Sequence, residues 1–221
     1  MKKRNYERSL PGGYRLVKKM DAKNLGFGLL LTLGSLLLFV AALTVVALPL
    51  VFGEVDFSAI DIDAIYTVLL YYILGTVLYM VLHELTHGAA YKAMTGEKLT
   101  FGISWSCAFC GVPNVFTYRR TAIIAVYAPF VVFTLLFIPA LVWSYFYSLS
   151  IYIVLALIFA THISGCVGDL YMGHILLRKY TDRLTLVNDS GPCVSVFVFD
   201  ERAIGKIDEK TQEFLNNMKK R

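Results

Sequence analysis

Four apolar stretches decide what this chain can fold into: Leu25 to Phe52, Ala64 to Tyr91, Thr121 to Tyr147 and Ile151 to Leu177. Each exceeds the roughly 20 residues that a helix needs to cross the hydrocarbon of a bilayer. At 57% hydrophobic residues and a mean hydropathy of +0.62, the 221-residue chain lies beyond the composition of soluble domains, which are about half apolar. The expected class is an all-α multi-pass membrane protein with four transmembrane helices. The first stretch is far longer than the roughly 7 to 15 residues of a signal-peptide core, and reads as an uncleaved anchor.

Four crossings sort the connecting segments onto two sides. Residues 1 to 24, 92 to 120 and 178 to 221 hold all 21 Lys and Arg, whereas the 53 to 63 loop holds Glu54, Asp56, Asp61 and Asp63 and no base. The positive-inside rule then places both termini in the cytoplasm of a cell-membrane protein. The net charge of +5 follows from that distribution and from anionic lipid, so no nucleic-acid partner is expected. Cys107 and Cys110 fall on the cytoplasmic side and Cys166 within a span, where reduced thiols are expected.

Three regions follow. Residues 1 to 24 read as a basic arm on the lipid headgroups, interrupted by Pro11-Gly12-Gly13. Residues 25 to 183 form the four-helix core, its last two spans joined by Ser148 to Ser150 alone and therefore packed as a hairpin. Residues 184 to 221 read as a cytoplasmic β-hairpin, with Asn188 to Pro192 as its turn, followed by a charged tail that is helical or frayed from Glu201 on. Between the second and third spans, Gly96, Gly102, Gly111, Pro113 and Asn114 break an apolar, aromatic segment. Leu99 to Phe101 and Val115 to Tyr118 are expected to pair there as a re-entrant hairpin. Cys107-Ala-Phe-Cys110 has the spacing of a metal knuckle but lacks a second ligand pair, so it reads as a turn. No internal repeat supports a transporter built from inverted halves.

The second span carries His83-Glu84-Leu85-Thr86-His87. Residues four apart on a helix share a face one turn apart, so two imidazoles converge on one point. Glu84, beside the first, is placed to act as general base in the H-E-x-x-H arrangement of zinc peptidases. An acid at the centre of a span is unfavourable by roughly 2.5 kcal/mol or more unless compensated, and ionisable groups kept there are functional by default. Catalytic zinc usually takes three protein ligands and leaves one position open. The fourth stretch holds His162, Asp169 and His174. Counted from the cytoplasmic helix ends at 1.5 Å per residue, the His pair lies about 9 Å deep, Asp169 about 12 Å, His174 about 5 Å and His162 about 22 Å. Asp169 matches best, His174 is the alternative, and His162 is too deep to share the ion, though it shares a face with Asp169.

His83-Glu84-Leu85-Thr86-His87-Gly88 in a span, a Gly-rich hairpin after it and Gly168-Asp169 in a later span resemble the site-2 intramembrane metalloproteases. With Asp189-Ser190-Gly191-Pro192 near the end, the order is similar to that of the bacterial family described as putative zincin peptidases. The resemblance covers roughly residues 60 to 200. It implies zinc held by His83, His87 and Asp169, Glu84 as catalytic base, and a hairpin that positions an unwound, membrane-spanning or membrane-associated protein substrate. Site-2 proteases place Asn and Pro ahead of the ligand Asp; here His162-Ile-Ser-Gly-Cys-Val-Gly precedes Asp169, and no PDZ-like domain is present. The competing functions are a catalytically silent zinc-binding scaffold or sensor, which has no need of Glu84, and a metal transporter, which would need a longer polar path.

Overall fold

The computed structural model describes residues 5–53, 62–103 and 108–200. Most of the 53 to 63 loop, Cys107 and the charged tail from Glu201 lie outside the described residues.

Helices dominate: α1 (Leu25–Phe52), α2 (Ile62–Thr95), α3 (Arg119–Tyr147), α4 (Leu149–Gly165) and α5 (Val167–Arg178). The first three are each long and apolar enough to cross a membrane. The fourth apolar stretch is not one straight helix. It bends by 41° between α4 and α5, so the chain has three candidate spans, or four if the bent pair crosses as one. Ser164-Gly165 and Gly168 flank the break, and Gly and Ser pairs are where helices kink.

The strands are β1 (Tyr6–Glu7), β2 (Tyr14–Asp21), β3 (Thr100–Ile103), β4 (Ala108–Gly111), β5 (Phe116–Tyr118), β6 (Leu186–Asp189) and β7 (Cys193–Phe199). They form more sheet than the two hairpins anticipated from the sequence. A five-stranded antiparallel sheet runs β1-β5-β6-β7-β2, and β3 pairs separately with β4.

Two compact units result. One comprises Leu29–Thr86 and Tyr127–Tyr171; the other comprises Met1–Gly28, His87–Val126 and Met172–Arg221, and α2 runs continuously through both. In the helical unit, Val46 of α1 packs with Leu141 of α3 and with Tyr152 and Ala156 of α4. Tyr79 of α2 packs with Phe133 of α3 and Ile158 of α4. α3 and α4 are separated by Ser148 alone and share both clusters, as the short connection requires. On their outer faces α1 and α2 leave Leu29, Leu33, Leu37, Leu70, Leu74 and Leu78 exposed. Such a surface is expensive in water and matched to lipid.

In the unit that carries the sheet, the β6–β7 hairpin forms where its turn residues placed it. The arm before the first span is structured as well. β2 pairs along its length with β7, with a register shift between Leu16 and Lys18. That irregularity breaks the alternation a strand would show in sequence, and the partner strand is remote in the chain. Arg15, Lys18 and Lys19 sit on a sheet edge, where charge guards against pairing with other chains. The expected pairing of 99–101 with 115–118 is also corrected: Thr100 to Ile103 pair with Ala108 to Gly111, while Thr117 and Tyr118 pair with Val187 and Leu186. The Asn188 side-chain amide donates to the carbonyls of Pro113 and Val115, both at 2.9 Å, and holds the turn that diverts the chain out of the hairpin.

The Asp189-Ser190-Gly191-Pro192 turn ties this sheet to α2. Tyr91, one turn beyond His87, is buried with Val112, Val115 and Ala125, and its hydroxyl donates to Asp189 Oδ2 at 2.7 Å. The other Asp189 oxygen accepts the Gly191 amide at 2.9 Å, and the Asp189 carbonyl accepts the Val112 amide at 2.8 Å. Gly191 has φ +91 and packs against Gly111. A Cβ on Gly111 would meet the Gly191 backbone nitrogen and lie 2.9 Å from the Asp189 carbonyl. Gly111→Ala is therefore expected to destabilise the protein by about 1–3 kcal/mol, read as a lowered unfolding temperature in detergent, whereas Gly168→Ala, which meets nothing within 4 Å, should not.

At the solvent rim, Glu97 accepts the Tyr6 hydroxyl at 2.8 Å and Arg8 Nη2 at 3.0 Å, and these partners, Tyr6 first, lower its pKa. A carboxylate whose pKa is depressed by folding stabilises the fold above the unfolded-state value and ceases to as pH falls through the folded value. Glu97→Gln should lower the unfolding temperature slightly at pH 7, and the difference from the unsubstituted protein should close as the pH is taken down through the carboxylate range.

Candidate metal centre

Helix geometry alone brings His83 and His87 to one face of α2, a turn apart, and both are buried. His87 Nδ1 lies 2.8 Å from the Ala125 carbonyl of α3. A carbonyl only accepts, so Nδ1 carries the proton and, in the neutral ring, Nε2 carries the lone pair through which an imidazole ligates. His83 Nδ1 lies 2.7 Å from the Tyr79 hydroxyl, and its Nε2 lies 3.3 Å from Asp169 Oδ2.

Asp169 reaches this point from the first turn of α5, just after the bend. A carboxylate is favoured at a helix N-terminus by the unsatisfied amides there. Among the described residues, His83, His87 and Asp169 each offer one donor atom, all within 4.8 Å of one another. His174 is exposed and belongs to no such group. Glu84 is partly buried and adjoins His83 in the chain.

The donor set fits zinc in type and spacing. Two neutral imidazoles and one carboxylate are common catalytic zinc ligands. The 3.3 Å between His83 Nε2 and Asp169 Oδ2 is long for an N–H···O bond, whose usual length is about 2.9 Å. It is close to the roughly 3.4 Å that separates two ligands each about 2.1 Å from a tetrahedral ion.

A second group, His83, His162 and Cys166, is fully buried and also has donor atoms within 4.8 Å of one another. Sequence reasoning set His162 on the face of Asp169, lining the same cavity or bonding between helices, and passed over Tyr79; the structure bonds His162 to Tyr79 and Thr134 on two other helices. The available signal was spacing: Tyr79, His83 and His87 follow one another at four-residue intervals. On the other side of His87, Gly88 adjoins β3, where a Cβ would lie 2.8 Å from Phe101 Cζ. Cys110 is buried in β4.

No curated protein and no solved structure matches the chain. A family model does match, across the segment from α2 through α5 that contains both histidines, Glu84 and Asp169. Residues 76–183 match the model of the family described as putative zincin peptidase.

Proposed function

We propose that the protein is an intramembrane zinc metallopeptidase that hydrolyses peptide bonds of membrane-spanning or membrane-associated protein substrates near the cytoplasmic face. The observation that carries this reading is the 3.3 Å approach of His83 Nε2 to Asp169 Oδ2, one turn from His87 on a helix of membrane-spanning length. His83, His87 and Asp169 would hold the ion. Zinc held there supplies Lewis acidity toward a peptide carbonyl and acidifies water.

The chain's own groups do the rest. Glu84 takes the proton from the attacking water and returns it to the departing amine. The Ala125 carbonyl keeps His87 in the tautomer that leaves Nε2 unprotonated. Asp169 would offset the positive charge of the ion. The bent α4–α5 pair counts as one crossing, giving four spans, with the basic segments and both termini on the cytoplasmic side. At about 9 Å below that interface, the site would draw its water from the cytoplasm.

A helix has to be unwound before its backbone can be cut, and adding a peptide to a sheet edge holds it extended. Among the described residues β3 pairs only with β4, and it leaves Phe101 47% and Ile103 83% exposed. β3 also packs beside Gly88, the residue after His87. It is the candidate edge for a substrate strand.

The test is hydrolysis of single-span fluorogenic peptides by the purified protein in liposomes. Cleavage that is abolished by a zinc chelator and falls at least about 100-fold in Glu84→Gln is expected for a general base. Zinc binding without cleavage, equal in the two proteins, would favour a silent scaffold or sensor instead.

A further inference from the structure

Tyr79 stands one turn before His83 on α2, and its hydroxyl meets two imidazoles. It lies 2.7 Å from His83 Nδ1 and 2.9 Å from His162 Nδ1. The second nitrogen of His162 lies 3.0 Å from Thr134 Oγ1 of α3. His162 is 0% exposed, and Phe130, Phe133, Phe137 and Phe159 surround its ring. The phenol ring of Tyr79 is held edge-on against Phe133.

One hydroxyl has one proton to give and two lone pairs, and a neutral imidazole has one donor and one acceptor. The Tyr79 hydroxyl also hydrogen-bonds Cys166, and where it gives its proton to one of the two imidazoles the chain runs in one of two directions. In the first, His83 Nδ1–H donates to Tyr79, Tyr79 donates to His162 Nδ1, and His162 Nε2–H donates to Thr134. His83 Nε2 then carries its lone pair on the side of Asp169, the form that would ligate an ion held between them. In the reverse direction Tyr79 donates to His83 Nδ1, which puts the His83 proton on Nε2 and removes its capacity as a ligand. Thr134 can accept or donate at 3.0 Å from His162 Nε2, so the ion selects the first direction: it alone leaves His83 a lone pair on the side of Asp169, 3.3 Å away.

We infer that Tyr79 and His162 are positioning residues that fix His83 in its ligand-competent tautomer through a directed hydrogen-bond chain ending at Thr134. The His83, His162 and Cys166 group is accordingly a hydrogen-bonding hub with the Tyr79 hydroxyl between its two imidazoles, and not a second metal site. This rests on the metallopeptidase reading, because the direction of the chain matters only if His83 binds an ion through Nε2.

The experiment uses the full-length protein in detergent. Zinc affinity is measured by competition with a chromophoric chelator, and the visible spectrum is recorded after cobalt(II) substitution. Outer-shell partners of ligand histidines are generally worth roughly 10- to 100-fold in affinity. Tyr79→Phe, which keeps the ring in its aromatic cluster, should therefore weaken zinc by about that factor and alter the cobalt spectrum; the metal-free unfolding temperature falls as well, because the buried imidazole nitrogens lose a partner, so the spectrum is the readout that reports on the metal. His162→Leu should do the same, His162→Asn should recover most of the loss because its amide oxygen can stand in for Nδ1, and Cys166→Ala should have no effect. Unchanged affinity and spectrum in Tyr79→Phe would overturn the hydrogen-bond chain while leaving the metallopeptidase reading intact. Loss of the metal in Cys166→Ala would overturn it by making the hub the metal site. A wild-type protein that binds no zinc would remove the metallopeptidase reading itself.

Discussion

Polar groups set among apolar helices must satisfy one another, and that requirement organises this protein. A bilayer offers no water to an unpaired donor or acceptor, so each such group is unfavourable by several kcal/mol. His83, His87, His162, Tyr79 and Asp169 are accommodated because each meets a defined partner: Ala125, Thr134 or one another. The bend at Cys166 is part of the same solution. It ends α4 at Gly165 and restarts the helix so that Asp169 occupies a first turn, where a carboxylate is favoured, within 3.3 Å of His83. Small residues let the helices close around this cluster; Gly34 and Gly75 each adjoin a side chain of α5 or α4.

The sheet serves the same helix at its other end. Tyr91 follows His87 by one turn and is fixed to Asp189, and the turn that Asp189 opens is itself fixed to Val112 and Gly111. The Asp189-Ser190-Gly191-Pro192 segment thereby anchors the C-terminal turns of α2 to a hydrogen-bonded scaffold. Catalytic geometry tolerates little error. Tyr91 holds the helix at the turn that follows His87.

Much of this was legible in the sequence, for identifiable reasons. Long apolar runs and the His83-Glu84-Leu85-Thr86-His87 motif carry their signal within one helix, where period and spacing are fixed. Asp169 was singled out because helical rise converts residue number into depth; the structure sets it beside His83 and His87, although the helix assumed for that count is bent. The β6–β7 hairpin announced itself through its turn residues. What stayed hidden depends on contacts between distant segments. β2 lost its alternation to an irregular register, and β5 left the expected hairpin for β6 because Asn188 holds the intervening turn. The Tyr79–His162–Thr134 chain joins three helices through side chains that, read singly, are ordinary residues of apolar spans. Gly165 and Gly168 did signal the break in the fourth stretch, but hydropathy alone averaged it away.

The central claim is that His83, His87 and Asp169 together hold one ion that Glu84 does not. Elemental analysis of the detergent-purified protein tests it most directly, comparing the wild type with Glu84→Ala, His87→Ala and Asp169→Ala. The account requires close to one zinc per chain in wild type and in Glu84→Ala, and loss of zinc in the other two. Zinc absent from the wild type, or retained equally when His87 or Asp169 is removed, would contradict it and leave the cluster as a polar contact between helices.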